Sequence, residues 1–114
     1  MQKILISGRI TRDLTLKHTN DNKPLVILPI AVKNNNKEAN PIYLDFIVYG
    51  EMAKIHSQYL SKGSLINIEG HIYQKIKEEN GKKIKINTFY ADNVEYLNVK
   101  KQDLQQEETS NQLN

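Results

Sequence analysis

The chain has 114 residues, enough for one domain and clear of the roughly 70–80 residues below which a core needs staples. It has no cysteine, which excludes disulfides and thiolate metal sites, and His18, His56 and His71 stand at no metal-ligand spacing. The net charge of +3 is uneven, with 14 Lys+Arg against 10 Asp+Glu in residues 1–97 and 2 against 3 in residues 98–114, so polyanionic partners are weakly favoured.

Residues 3–10 read as a first strand, with Ile4, Leu5, Ile6 and Ile10 as its apolar residues. Gly8 inside it suggests a bulge or sharp bend. Residues 19–24 form a turn cluster, and residues 25–33 a second strand in which Pro29 argues for an edge or a bulge. Residues 34–41 are a polar loop, and residues 42–49 the third strand. Over residues 51–60 the period changes: Met52, Ile55, Tyr59 and Leu60 recur at helical spacing, and Gly63 supplies a stop. So short a helix gains its stability by packing, and plugging an open barrel end would serve. Residues 65–77 are the fourth strand, with Ile66, Ile68, Ile72 and Ile76 in period two. Asn80-Gly81 is a hairpin turn. Residues 83–91 form the fifth strand, with residues 94–97 as its extension, and residues 98–114 read as a polar, disordered tail.

Five strands with a helix between the third and fourth is the order of the all-β OB-fold barrel. Residues 1–97 are expected to form that domain. No stretch approaches the roughly 20 apolar residues of a membrane span. The opening stretch, Met1 to Gly8, has too short an apolar run for a signal peptide. A cytoplasmic protein is expected.

Tyr43 and Tyr49 lie six residues apart on the third strand and so share a face, with Asp45 and Ile47 between them. Ile42, Leu44, Phe46 and Val48 face the other way, as barrel filling. On the fourth strand Tyr73 shares a face with His71, Lys75 and Lys77. If the two strands are neighbours, three tyrosines stand on one wall beside lysines. Such a wall grips unpaired nucleic acid, because every base has a π-face, at about 1–3 kcal/mol per stacked base. Lysines neutralise phosphates and make binding salt-dependent. An outward tyrosine can equally support its cross-strand neighbour or sit in a subunit interface. Arg9, Arg12, Lys33, Lys62, Lys75 and Lys77 taken singly also read as a solvated face. Tyr59, on the apolar stripe of the helix, reads as core, and His71 as a surface or interface residue. No nucleophile–base pair, metal cluster or phosphate-binding glycine loop is visible, so neither an enzyme nor a cofactor is expected.

The chain resembles the bacterial-type single-stranded DNA-binding proteins. The resemblance rests on Ile4-Leu5-Ile6-Ser7-Gly8-Arg9-Ile10-Thr11-Arg12-Asp13, Pro29-Ile30-Ala31-Val32 and Tyr43-Leu44-Asp45-Phe46-Ile47-Val48-Tyr49-Gly50. It continues through Tyr59-Leu60-Ser61-Lys62-Gly63-Ser64-Leu65, Ile68-Glu69-Gly70 and Phe89-Tyr90-Ala91-Asp92-Asn93-Val94, and so spans residues 1–97. It implies a homotetramer that wraps single-stranded DNA without sequence preference in replication, recombination and repair. Tyr43 and Tyr49 match the family's stacking positions, and Lys62 and Lys75 its basic positions. The expected contact set is Arg9, Lys33, Tyr43, Tyr49, Lys62, Tyr73, Lys75 and Lys77. The chain departs from the pattern in having no Trp, in the run Asn34-Asn35-Asn36, and in Lys77 at a usually aromatic position. It also lacks the acidic, hydrophobic-tipped tail by which some members recruit partners, as in a short accessory or mobile-element paralogue. The alternative is an interaction module resembling primosomal replication protein N, a dimeric relative.

Overall fold

The computed structural model describes residues 1–99. They form β1 (Ile4–Ile10), β2 (Lys17–His18), β3 (Pro24–Val32), β4 (Ile42–Tyr49), α1 (Glu51–Tyr59), β5 (Leu65–Glu79) and β6 (Lys82–Asn98). The expected strands and helix stand in the expected order. The two-residue β2 is an addition, and the pieces read as a fifth strand and its extension are one strand. The sheet runs β1-β5-β6-β4-β3-β2, and a further β1–β3 pairing closes five strands into a ring. Among the described residues, only β4 and β6 pair in parallel, through Phe46 with Phe89 and Ile47 with Tyr90. This is the five-stranded OB barrel.

The interior is filled by Ile10, Val26, Leu28, Ile30, Phe46, Val48, Ile66 and Ile68, each from the inward face of its strand. Ile42, expected inside, is exposed at the start of β4. Ile76 is 61% exposed, because β5 and β6 continue past the barrel as a two-stranded arm with no third strand to cover it. The arm closes on Asn80 and Gly81, both at positive φ (53° and 78°), as a tight hairpin reversal requires.

The helix turns a different face inward from the one its spacing suggested. Of the expected stripe, Leu60 is buried at the C-cap, but Met52, Ile55 and Tyr59 are exposed, and Ala53 and His56 turn inward in their place. The seemingly polar His56 is internal because its Nδ1 shares a hydrogen bond with the Tyr96 hydroxyl at 2.5 Å. Burial pushes the His56 pKa below its ordinary 6.5. The Tyr96 pKa is raised by burial and by the neighbouring Tyr59.

Pro29 lies within β3, in the gap between the β2 pairing, which ends at Leu25, and the β1 pairing, which begins at Ile30. Its missing N–H is therefore tolerated as at an edge, and its carbonyl accepts from the Thr11 amide at 2.9 Å. No bulge occurs at Gly8, since β1 pairs β5 in unbroken register from Ile4 to Arg9. Gly8 is instead a point of close approach, where a Cβ would stand 2.9 Å from the Ala31 carbonyl oxygen. The bulge falls in β6: Glu69 faces Asn93 and Gly70 faces Ala91, which leaves Asp92 as the extra residue. A Cβ on Gly70 would meet the Tyr90 carbonyl oxygen at 2.1 Å, so only glycine lets the strands approach here.

The tail expected over residues 98–114 lies outside the described residues, apart from Asn98, which ends β6, and Val99, which packs on the core. Among the described residues, no helix is long and apolar enough to cross a membrane.

Candidate nucleic-acid interface

Strand alternation sets the interface. In β4 the inward Phe46 and Val48 alternate with Tyr43, Asp45, Ile47 and Tyr49 on the outer wall. Tyr43 is 68% exposed, Tyr73 56% and Tyr49 41%. β4 and β5 are not neighbours, contrary to the condition the sequence reading set, because β6 lies between them. The outward residue that β6 supplies at the junction is Tyr90, beside Ile47 on one side and opposite His71 on the other.

Tyr90 joins the two halves of the wall. Its ring lies 6.1 Å from that of Tyr49, at 28° between planes, and 5.3 Å from that of His71, at 20°. Both are offset-stacked geometries. Lys23 caps one end with its Nζ 5.2 Å from the Tyr49 centroid, a cation–π contact. At the other end the bulged Asp92 holds His71, with Oδ2 2.8 Å from Nδ1. The bulge re-aims this carboxylate onto the ring and so fixes its orientation.

From His71 the wall continues along the arm. Antiparallel partners share a face, so Tyr73 with Thr88, Lys75 with Ile86, and Lys77 with Ile84 extend it outward. Lysines thus line β5, and exposed isoleucines flank them on β6. In the other direction Tyr43 faces Ala31, and Ala31 faces Arg9, placing all three in one row. Arg9 donates from Nη1 to the Gly63 carbonyl at 2.9 Å, which fixes the guanidinium at the α1–β5 turn. Lys62 is in that turn, its amide donating to Asp13 Oδ1 at 2.9 Å and its side chain exposed. Lys33 follows β3 and lines a groove with Arg9. Among the described residues, no ion pair ties down Arg9, Lys33, Lys62, Lys75 or Lys77.

Seven of the eight expected contact residues therefore fall along one band or at its Arg9 end, and Lys62 adjoins that end through Gly63. Sequence reasoning missed Tyr90, Lys23 and the structural part played by His71. Tyr90 alternates with the inward Phe89, a usable signal, but its two ring partners come from long-range pairings.

The sheet surface over β1, β5 and β6 has the opposite character. Lys3 Nζ pairs with Glu69 at 2.6 Å, Asn93 donates to Glu69, and Asn67 donates to Glu95. The Lys3 hydrogen bond and charge hold the Glu69 carboxyl below its usual range, and Glu69 in turn raises Lys3. Asp45 and Asp92 stand on the tyrosine wall as well, but its stacked rings and its lysines without an ion pair favour a polyanion over this carboxylate-rich surface.

A closed OB barrel with rings and unpaired cations along one outer wall belongs to the class of nucleic-acid-binding β-barrels. The family model for the single-strand binding protein family matches residues 1–97, and the chain belongs to that family, which is non-enzymatic. It is similar to a single-stranded DNA-binding protein of Helicobacter pylori, at 30% identity over 86% of this chain and 59% of the relative. It is also similar to one of Aquifex aeolicus, at 31% over 95% of this chain and 78% of the relative. Single-stranded DNA-binding protein 1 of Lactococcus lactis is 29% identical over 93% of this chain and 74% of the relative. The matched region thus spans about three fifths of the Helicobacter protein's length.

Proposed function

We propose that this chain binds single-stranded DNA without sequence preference, by stacking bases on Tyr43, Tyr49, Tyr73 and Tyr90 and pairing phosphates with Arg9, Lys33, Lys62, Lys75 and Lys77. The observation that carries this reading is the ring array Tyr49–Tyr90–His71 on an outer wall that lysines continue at both ends, with Tyr49 exposed and Tyr90 and His71 half-buried. Stacking tolerates any base, so such a wall needs no base-edge readout. The names of the relatives point the same way. Roles in replication, recombination and repair, a cytoplasmic location and assembly as a homotetramer belong to the same proposal. Leu5, 75% exposed on β1, gives a second copy an apolar foothold away from the wall.

Titration of a thymidine homopolymer at two salt concentrations, with particle mass measured alongside, tests the reading. Neutralising five phosphates per chain gives a slope of log K against log salt of about −3.5, or roughly a hundredfold loss between 50 and 200 mM. A slope near zero refutes phosphate pairing. The alternative of an interaction module like primosomal replication protein N draws on the exposed stripe Met52, Ile55 and Tyr59. A dimer that binds the homopolymer no better than duplex DNA would favour it.

A further inference from the structure

We propose that Gln2 is a positioning residue for the binding wall: its side-chain amide clasps the Ile72 main chain and so sets the angle at which the β5–β6 arm carries Tyr73, Lys75 and Lys77. This rests on the single-stranded DNA reading above and adds to it a residue outside the expected contact set. The ladder between β1 and β5 ends with Ile4 opposite Gly70. The same register, continued, puts Gln2 opposite Ile72. Gln2 lies outside the strand, since β1 begins at Ile4. It nevertheless donates from Nε2 to the Ile72 carbonyl at 3.0 Å, and its Oε1 accepts from the Ile72 amide. Hydrogen-bonded partners in an antiparallel pair exchange the same two bonds through their main chains. One side chain thus stands in for the next rung, because a primary amide carries both donor and acceptor.

The place of this rung gives it its consequence. Ile72 lies between His71, an end of the ring array, and Tyr73, where the wall passes onto the arm. Just before it, between Glu69 and Gly70, the pairing with β6 shifts register through the Asp92 bulge, and a bulged strand bends. Just after it, β5 and β6 run on as a pair. Inside the arm Gln74 donates to Asn87 at 2.8 Å, which binds β5 to β6 but not the arm to the barrel. A two-stranded ribbon is marginally stable alone, so its direction is set at its root. Lys3, paired with Glu69 at 2.6 Å, anchors β5 on the barrel side of the bulge. Gln2 anchors it on the arm side.

Gln2→Leu keeps the bulk and removes both bonds, and Gln2 is exposed, so the core is untouched. The Ile72 amide should then exchange its hydrogen faster by roughly 2- to 12-fold, the worth of one hydrogen bond. In homopolymer titrations at three salt concentrations, Gln2→Leu should bind more weakly than the parent although no charge is removed. Its plot of log K against log salt should flatten toward that of Lys75→Ala with Lys77→Ala, about 1.4 shallower than the parent's. In that double-alanine background, Gln2→Leu should move the slope no further.

A residue that only stabilised the fold would lower the melting temperature and leave the slope of the folded chain unchanged, which would overturn the proposal. Equal flattening in the parent and the double-alanine chain would overturn it too, by placing the effect away from the arm lysines. Unchanged exchange at Ile72 would remove the clasp itself. That measurement needs no DNA, so a parent chain that fails to bind the homopolymer would refute the function separately.

Discussion

Replacing Tyr90 with valine should weaken homopolymer binding strongly while leaving its salt dependence untouched. Valine is a good strand former, and the Phe46–Phe89 contact (centroids 5.6 Å apart) lies on the opposite face, so the barrel keeps its core. What disappears is the ring between Tyr49 and His71. Two half-buried aromatic pairs are lost, at about 0.5–1.5 kcal/mol each, so stability should fall by about 1–3 kcal/mol. DNA affinity loses one stacked base directly, about 1–3 kcal/mol, which is about 5- to 150-fold. Tyr49 and His71 also lose the surface that aligns them, which pushes the effect toward the upper end. No charge is removed, so log K against log salt should shift down in parallel. Intrinsic tyrosine fluorescence or polarisation of a labelled oligonucleotide at several salt concentrations gives intercept and slope together, and urea melts verify the fold. A folded variant with affinity within twofold of the parent would show that the array does not bind bases. A changed slope would show that the ring had been ordering cations instead.

Lys75→Ala with Lys77→Ala should do the reverse, flattening the same plot by about 1.4 in slope, which titration at three salt concentrations resolves. Gly70→Ala should cost about 1–3 kcal/mol in urea unfolding, because its Cβ would stand 2.1 Å from the Tyr90 carbonyl oxygen and force β5 from β6. The same displacement should weaken DNA binding by moving Tyr90. Stability should also fall in mild acid: the folded His56 pKa lies below 6.5, so the unfolded chain takes up the proton first. Stability is then full above about pH 6.5 and declines as pH falls toward the folded value, and His56→Gln should flatten melting temperature across that window.

The barrel was readable because its signals are local. Alternation in residues 42–49, the Asn80-Gly81 reversal and the period change after Gly50 each act within a few residues, and each fell where the structure has it. The failures came where tertiary contacts overruled local pattern. The helix offered two faces, one with Met52, Ile55 and Tyr59, read together with Leu60 at the C-cap, and one with Ala53 and His56. Apolarity chose the first. Packing chose the second, because the small Ala53 allows close approach and Tyr96, forty residues on, satisfies His56. Ile76 misled in the same way, since period two fixes which side a residue faces and not whether anything covers that side.

The wall shows why a residue set that shares one surface still lacked the ring at its centre. Tyr43, Tyr49, Tyr73, Lys75 and Lys77 were placed on one surface by treating β4 and β5 as adjacent, and they do share it, but with β6 between. A strand inserted into a sheet keeps the outward sides of its neighbours on one surface, so the inference survived an incorrect adjacency. What it lost was the residue the inserted strand contributes. Tyr90 touches Tyr49 only through the short parallel contact between β4 and β6, a pairing with no hairpin and no turn residues to announce it. The bulge at Asp92 and the close approach at Gly70 then bring His71 and Tyr90 into register. The two halves of the wall are therefore coupled through one ring and one glycine. Tyr49→Ala and Tyr73→Ala should cost more than additively when combined if Tyr90 carries the strand between them, and simple addition in a double-mutant cycle would make them independent stacking points.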